Sequence, residues 1–184
     1  MYRGLTTFIR KWEGGFVNDP LDRGGATNMG VTIGTWKTFG YDKDKDGDLD
    51  VEDLKKITLE DWDNIFRKVY WARWKADNIM HKEVAYMLVD WVWCSGAYGV
   101  KIPQRLLGVA VDGLVGNNTI LALNNKGKDY ARELGRQRIA YLHRITNSDK
   151  TQKKYINGWC NRVNDLLKMC GYEPVRFEEI EELI

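Results

Sequence analysis

Residues 82–95, KEVAYMLVDWVWCS, constrain the fold more than any other stretch. They are apolar on more than one face, and a helix of that kind has to be surrounded by protein on most of its circumference. The segment therefore predicts a buried central helix with other helices packed round it. Apolar residues at helical spacing supply those neighbours. Leu5, Phe8, Ile9 and Trp12 mark an amphipathic helix over 3–13, stopped by Gly14 and Gly15. A helix resumes over 31–39. Thr58 caps another running through Trp74, with Leu59-Glu60-Asp61 loading its first turn with acid. Further helices fit 101–108, 117–124, 127–146 and 150–170. Residues 14–32 read as loop or short hairpin, with Asp19-Pro20 and Gly24-Gly25 as turn signals. The fold class is mainly α with at most a minor hairpin. The tail RFEEIEELI is acidic, and a last helix or a frayed end both fit it.

Composition narrows the function. In 184 residues, 43% are hydrophobic and 29% charged, the balance of a globular chain that can bury a sizeable core without staples. Net charge is +2, from 28 basic and 26 acidic residues, which argues against a dedicated nucleic-acid binder. Three cysteines at 94, 160 and 170 have neither disulfide-framework nor zinc spacing, and read as free thiols. No apolar run is long enough for stable membrane insertion. The opening MYRGLTTFIRKWEGG has no continuous apolar stretch before a small-residue cleavage site, so it is not read as a signal peptide.

Two stretches carry chemistry. The first is WEGGFVNDPLDRGGATNMGVT, residues 12–32. Glu13 at a helix C-terminus is disfavoured by the helix dipole and stays protonated longer, and burial against Trp12 or Phe16 adds to this. Such a carboxylic acid suits a general acid. Asp19 and Asp22 can return beside Glu13 as the second carboxylate of a glycosidase pair. The plain alternative is a surface Glu followed by a turn in which the two Asp cap backbone amides. Spacing leaves both open.

The second stretch is DKDKDGDLDVED, residues 42–53. Asp42, Asp44, Asp46 and Asp50 stand at positions 1, 3, 5 and 9 of an EF-hand calcium loop, Gly47 at 6 and Leu49 at 8, with Asp48 between them. Asp53 replaces the usual Glu at position 12. The loop predicts a structural calcium beside the catalytic region, and no cofactor for catalysis itself. A solvated acidic loop is the alternative.

Eight Trp and nine Tyr point the same way as the carboxylates, because sugar rings stack their C–H faces on aromatic rings. Most of these residues are expected in the core, with Tyr70 and Trp71 the candidates for a cleft.

The motifs together resemble the glycoside hydrolase 108 family. Glu13-Gly14-Gly15-Phe16, Asn18-Asp19-Pro20, Asp22-Arg23-Gly24-Gly25-Ala26-Thr27 and Gly30-Val31-Thr32 resemble its N-terminal signature. Tyr70-Trp71 resembles its paired aromatics, and 90–96 (DWVWCSG) its Asp-containing helix leading into Gly. Gln104, Val111-Asp112-Gly113, Gly116 and Thr119 resemble the peptidoglycan-binding segment behind it, and Gly158-Trp159 with Asn161-Arg162 its closing motif. The family comprises bacterial and phage N-acetylmuramidases, some known as secretion activator proteins.

The resemblance implies a lysozyme-like helical fold that hydrolyses the β-1,4 bond between N-acetylmuramic acid and N-acetylglucosamine. Its partner would be the glycan strands of peptidoglycan. Glu13 maps to the family's catalytic acid. By analogy with phage lysozymes, Asp22 orients or activates water and Thr27 helps hold it, with Asp19 the competing choice. Tyr70, Trp71, Asp90 and Gln104 are implied on the substrate side. The implied organisation is a catalytic lobe over 1–95 with the acidic insertion at 42–53, a closely packed peptidoglycan-binding helical lobe over 96–172, and an acidic tail over 173–184. A chain made in the cytoplasm without a signal peptide would reach the wall by holin-type or other release. A non-catalytic wall-binding or secretion-assisting protein, a calcium-dependent interaction module and a lytic transglycosylase are the alternatives. Oligomeric state is not legible.

Overall fold

The computed structural model describes residues 2–18 and 25–184, and is mainly α. The chain divides into two compact units, Tyr2–Trp71 and Ala72–Ile184.

In the first unit α1, Arg3–Trp12, buries Leu5, Phe8 and Ile9, the i, i+3, i+4 stripe of its sequence. Strands β1 (Thr27–Asn28) and β2 (Val31–Thr32) form an antiparallel hairpin with Thr27 opposite Thr32 and Asn28 opposite Val31. Its two turn residues, Met29 and Gly30, both have positive φ, 51° and 78°. That is the turn whose twist matches the strands. Helix α2, Ile33–Phe39, starts at Thr32, whose hydroxyl accepts the Thr35 amide. Residues 31–32, expected in that helix, are strand instead, because their ladder to β1 and the capping role of Thr32 both need extended backbone. Asn28 is buried and donates to Leu54 O at 2.9 Å, which ties the hairpin to α3, Val51–Lys55.

Helix α4, Leu59–Ile65, begins with the expected Thr58 cap, reciprocated by Asp61. It does not run on to Trp74. The chain winds into a π turn over Phe66–Trp71 and then short 3-10 turns at Ala72–Trp74 and Ala76–Asn78. The cause is aromatic packing. At about 3.6 residues per turn, a residue five positions on points well away from the first. The wider π turn instead lets Tyr70 and Trp71 both lie 6.4 Å from Phe66. Phe66 in turn stacks on Trp62 at 5.3 Å and 6°.

In the second unit α5, Lys82–Ser95, has the predicted bounds and is buried continuously from Glu83 to Val92. Against it pack α6 (Tyr98–Leu107), α8 (Tyr130–Ser148) and α9 (Ile156–Met169), while α7 (Asn117–Asn124) packs on α6. Residues 150–155, expected as the start of the last long helix, form a 3-10 turn begun by Asp149, whose carboxylate accepts the Thr151 amide.

Asp90 of α5 is fully buried. It receives Arg138 Nη1 of α8 at 2.7 Å and Arg162 Nη2 of α9 at 2.9 Å. Gly99 lets α6 approach α5: a Cβ there would stand 2.5 Å from the Val92 backbone. Gly135 of α8 does the same for Leu167 of α9. The acidic tail neither frays nor forms an α-helix. It makes two 3-10 turns, buries Ile180, and pairs Glu179 with Arg132 at 2.7 Å and Glu182 with Arg136 at 2.9 Å. Among the described residues no helix is long and apolar enough to cross a membrane.

The two kinds of glycine separate in a test. Gly99→Ala forces backbone apart and is expected to cost about 3 kcal/mol. Gly108→Ala has φ +70° but open space around it, and is expected to cost about 1–2 kcal/mol. Urea denaturation of both variants checks the order.

Candidate active site

Glu13 is the residue at which α1 stops. Its amide still bonds Ile9 O at 3.1 Å, but its own ψ of 141° turns the chain extended. Its side chain is half-buried. Gly14 and Gly15 follow with nothing within 4 Å of where a Cβ would stand, so the backbone beside the carboxylate is open. Phe16 is held by the Lys55 ammonium, 5.2 Å from its ring centre.

Val17 then pairs with Thr27 through two backbone hydrogen bonds of 2.8 Å each, and the Ile33 amide bonds Ala26 O at 2.8 Å. Thr27 sits half-buried, its hydroxyl 3.5 Å from Gly25 O. The strand pairing brings Val17, four residues after Glu13, against Thr27. Asp19 and Asp22 lie outside the described residues.

The hairpin is fixed from beneath. Trp62 Nε1 donates to Met29 O at 2.8 Å, and the Arg10 guanidinium lies 5.2 Å over the Trp62 ring while Nη1 reaches Asp63 at 3.0 Å. This support runs from α1 through α4 to the turn, so it holds both flanks of the Glu13 loop.

The residues expected to touch substrate are placed differently. Trp71 is 3% exposed, packed at 5.8 Å against Tyr2 and behind Phe66. Tyr70 is half-buried on Phe66. Asp90 has no exposed surface. Burial pushes its carboxyl up, but Arg162 and then Arg138 outweigh this and hold it below the ordinary carboxylate range. Gln104 is also fully buried. It donates to Asp112 Oδ1 at 2.8 Å and Leu114 O at 3.0 Å, and accepts the Gly113 amide at 2.8 Å. Trp71, Asp90 and Gln104 hold the frame in this structure and offer no surface for a sugar, because the motifs that flag them record packing as faithfully as contact.

The acidic loop folds as a turn closed by its own backbone. Asp42 accepts the amides of Lys45 and Gly47, Asp50 accepts those of Glu52 and Asp53, and Asp53 accepts those of Lys43, Asp44 and Asp50. Gly47, at φ +104°, makes the sharp bend. Carboxylate oxygens of Asp42, Asp44 and Asp46 converge within 4.8 Å of one another, as do those of Asp48, Asp50 and Asp53. Asp46 and its acidic neighbours push the Asp48 carboxyl up. Lys43 ties the loop to α4 through Asp61 Oδ2 at 2.5 Å, and Tyr41 adds a bond of 3.1 Å to Asp61 Oδ1.

Residues 6–96 match the family model described as glycosyl hydrolase 108. The chain belongs to the glycoside hydrolase 108 family. Residues 98–164 match the model described as a predicted peptidoglycan domain. A solved structure described as that of Brucella abortus SagA is 28% identical, covers 92% of each chain, and superposes with a TM-score of 0.75. No curated protein matches. The protein is thus a glycoside hydrolase whose partner is peptidoglycan. The family region runs past Trp71 and through α5, so it includes part of the second compact unit.

Sequence reading missed Arg138 as the partner of Asp90. The signal was present: an Asp in the middle of an apolar helix requires a buried cation. What it did not reveal was which arginine supplies it.

Asp61 makes the acid side of stability testable. Burial pushes its carboxyl up, but bonds from Lys43, Thr58 and Tyr41 prevail and bring it down to about 2 from 3.8. A depressed folded pKa contributes stability that is present above the unfolded value and lost as pH falls through the folded one. Resistance to denaturant is expected to weaken from about pH 4 towards pH 2, with a shallower decline in Asp61→Asn.

Proposed function

We propose that the chain is an N-acetylmuramidase with Glu13 as its general acid. The observation that carries this is the position of Glu13 at the end of α1, followed by open glycine backbone and then by the Val17–Thr27 bridge. A glycosidase needs a proton donor held rigidly beside space for a chain of sugars. Here the rigidity comes from α1 and the hairpin, and the space from Gly14 and Gly15. Glu13 protonates the leaving glycosidic oxygen as positive charge develops on the muramic ring. Asp22, or Asp19, stabilises that charge or activates water, and the Thr27 hydroxyl orients the water.

Purified sacculi digested with wild type are expected to yield reducing muramic ends, read by mass spectrometry after borohydride reduction. Glu13→Gln is expected to lower the rate by about a hundredfold or more while leaving the melting temperature near wild type. Anhydromuramic ends would mean a lytic transglycosylase. No products from wild type would mean a binding or secretion-assisting role.

We also propose that residues 42–53 take a structural calcium ion. Three observations support a fit: the two converging carboxylate groups, the bend at Gly47, and Asp44 Oδ1, which is buried with no hydrogen-bond partner among the described residues. Asp42, Asp44, Asp46, Asp48, Asp50 and Asp53 would hold the ion, with Asp50 and Asp53 also accepting the loop's own amides. The ion would order the loop and take no part in bond cleavage. Millimolar calcium is expected to raise the melting temperature, since a ligand at a hundred times its Kd adds about 2.7 kcal/mol. Asp44→Asn with Asp46→Asn is expected to abolish the rise, which differential scanning calorimetry checks.

A further inference from the structure

In the unit Ala72–Ile184, one cavity of about 410 Å³ is walled by the end of α5, the start of α6, α8 and α9. That volume lies in the range of small-molecule sites, roughly 300–1,000 Å³. Its α8 wall is Arg138, Tyr141, Leu142 and Ile145, one face of the helix at i, i+3, i+4 and i+7. Trp159 and Arg162 of α9 face it as an i, i+3 pair.

Two properties make this more than a packing defect. The first is its rings. Tyr98, 61% exposed, sits 6.1 Å from Tyr141 at 32°. Half-buried Trp159 is braced by Tyr155, stacked at 5.7 Å and 26°. Large aromatics left on an exposed wall and held in place by neighbours suit the flat faces of a sugar. The second is charge. Arg138 is 2% exposed and lines the cavity, yet its Nε–H has no acceptor among the described residues, although Nη1 is committed to Asp90. Arg162 lines the same cavity and also pairs with Asp90, so two guanidiniums share one carboxylate and a positive charge is left over beside the cavity. A guanidinium suits a carboxylate best.

We propose that this cavity binds a peptidoglycan saccharide carrying a carboxylate, its ring on Tyr98 and Trp159 and its acid towards Arg138. The α6–α9 wall falls in the stretch that matches the peptidoglycan domain. The proposal rests on the reading that the chain acts on peptidoglycan, and needs no hydrolysis. The carboxylate is the lactyl group of a muramic sugar or an acid of the peptide stem attached to it.

The test uses the full chain and three probes: N-acetylmuramic acid, muramyl dipeptide and neutral N-acetylglucosamine. Exposed Cys94 lines the cavity and reports occupancy, since burial pushes Cys160 to about 11 and Cys170 to about 12 and leaves them unreactive near neutral pH. Either acidic probe is expected to slow maleimide labelling of Cys94 and to bind in calorimetry, with N-acetylglucosamine about tenfold weaker or worse. Tyr98→Ala and Trp159→Ala are expected to weaken acidic-probe binding about tenfold each. Tyr98 is exposed enough for its variant to keep the fold, which the melting temperature verifies. Tighter binding of muramyl dipeptide would assign the carboxylate to the stem, and tighter binding of N-acetylmuramic acid to the lactyl group, which is a free acid there and an amide in the dipeptide. Binding unchanged in both variants, equal affinity for N-acetylglucosamine, or no protection of Cys94 would overturn the proposal. Digestion of sacculi is read separately: a chain that cleaves walls but shows no acid-dependent binding here refutes the cavity alone.

Discussion

Asp90 carries a negative charge into the middle of a helix that is otherwise apolar and enclosed. A buried carboxylate without a partner would be prohibitive, so the second unit has to bring cations to it. Arg138 and Arg162 answer from two different helices. The relative register of α5, α8 and α9 is fixed by that requirement, because a slip of one residue on any of the three would strand a charge. The close approach at Gly135 and Gly99 is the packing counterpart of the same arrangement, and the cavity beside Arg138 is where it leaves room.

The first unit depends on backbone pairing more than on charge. A helix end at Glu13, a two-residue hairpin and a single bridge from Val17 to Thr27 set its frame. The Trp62 indole holds the turn from below, and its own ring lies between Arg10 and Phe66. The proposed role of Glu13 as proton donor asks for such a frame, because positioning an acid against one glycosidic oxygen needs fixed backbone on either side of it.

Much of this was legible in the residues. The central helix and α7 have the predicted bounds because their apolar periodicity is uninterrupted and their ends carry stop signals. The Thr58 cap was readable from chemistry alone. The π turn at Phe66–Trp71 was not, since a helical run of aromatics has the same spacing signal until tertiary packing selects the winding. The candidate site was readable as a motif around Glu13, but the motif did not separate residues that face ligand from residues that hold the frame. Trp71, Asp90 and Gln104 belong to the second kind, each because its polar or aromatic group is consumed by neighbours in the chain.

The acidic tail has a consequence for how the second unit is built. Arg132 and Arg136 stand in the first half of α8, and Glu179, the partner of Arg132, comes 47 residues later. During synthesis that edge is made first, with only Glu133 of its own helix beside Arg136. Only when residues 176–183 emerge is the edge neutralised and Ile180 seated. The tail is thus an electrostatic latch on α8, and a chain lacking residues 176–183 would leave Arg132 without its carboxylate and the seat of Ile180 empty.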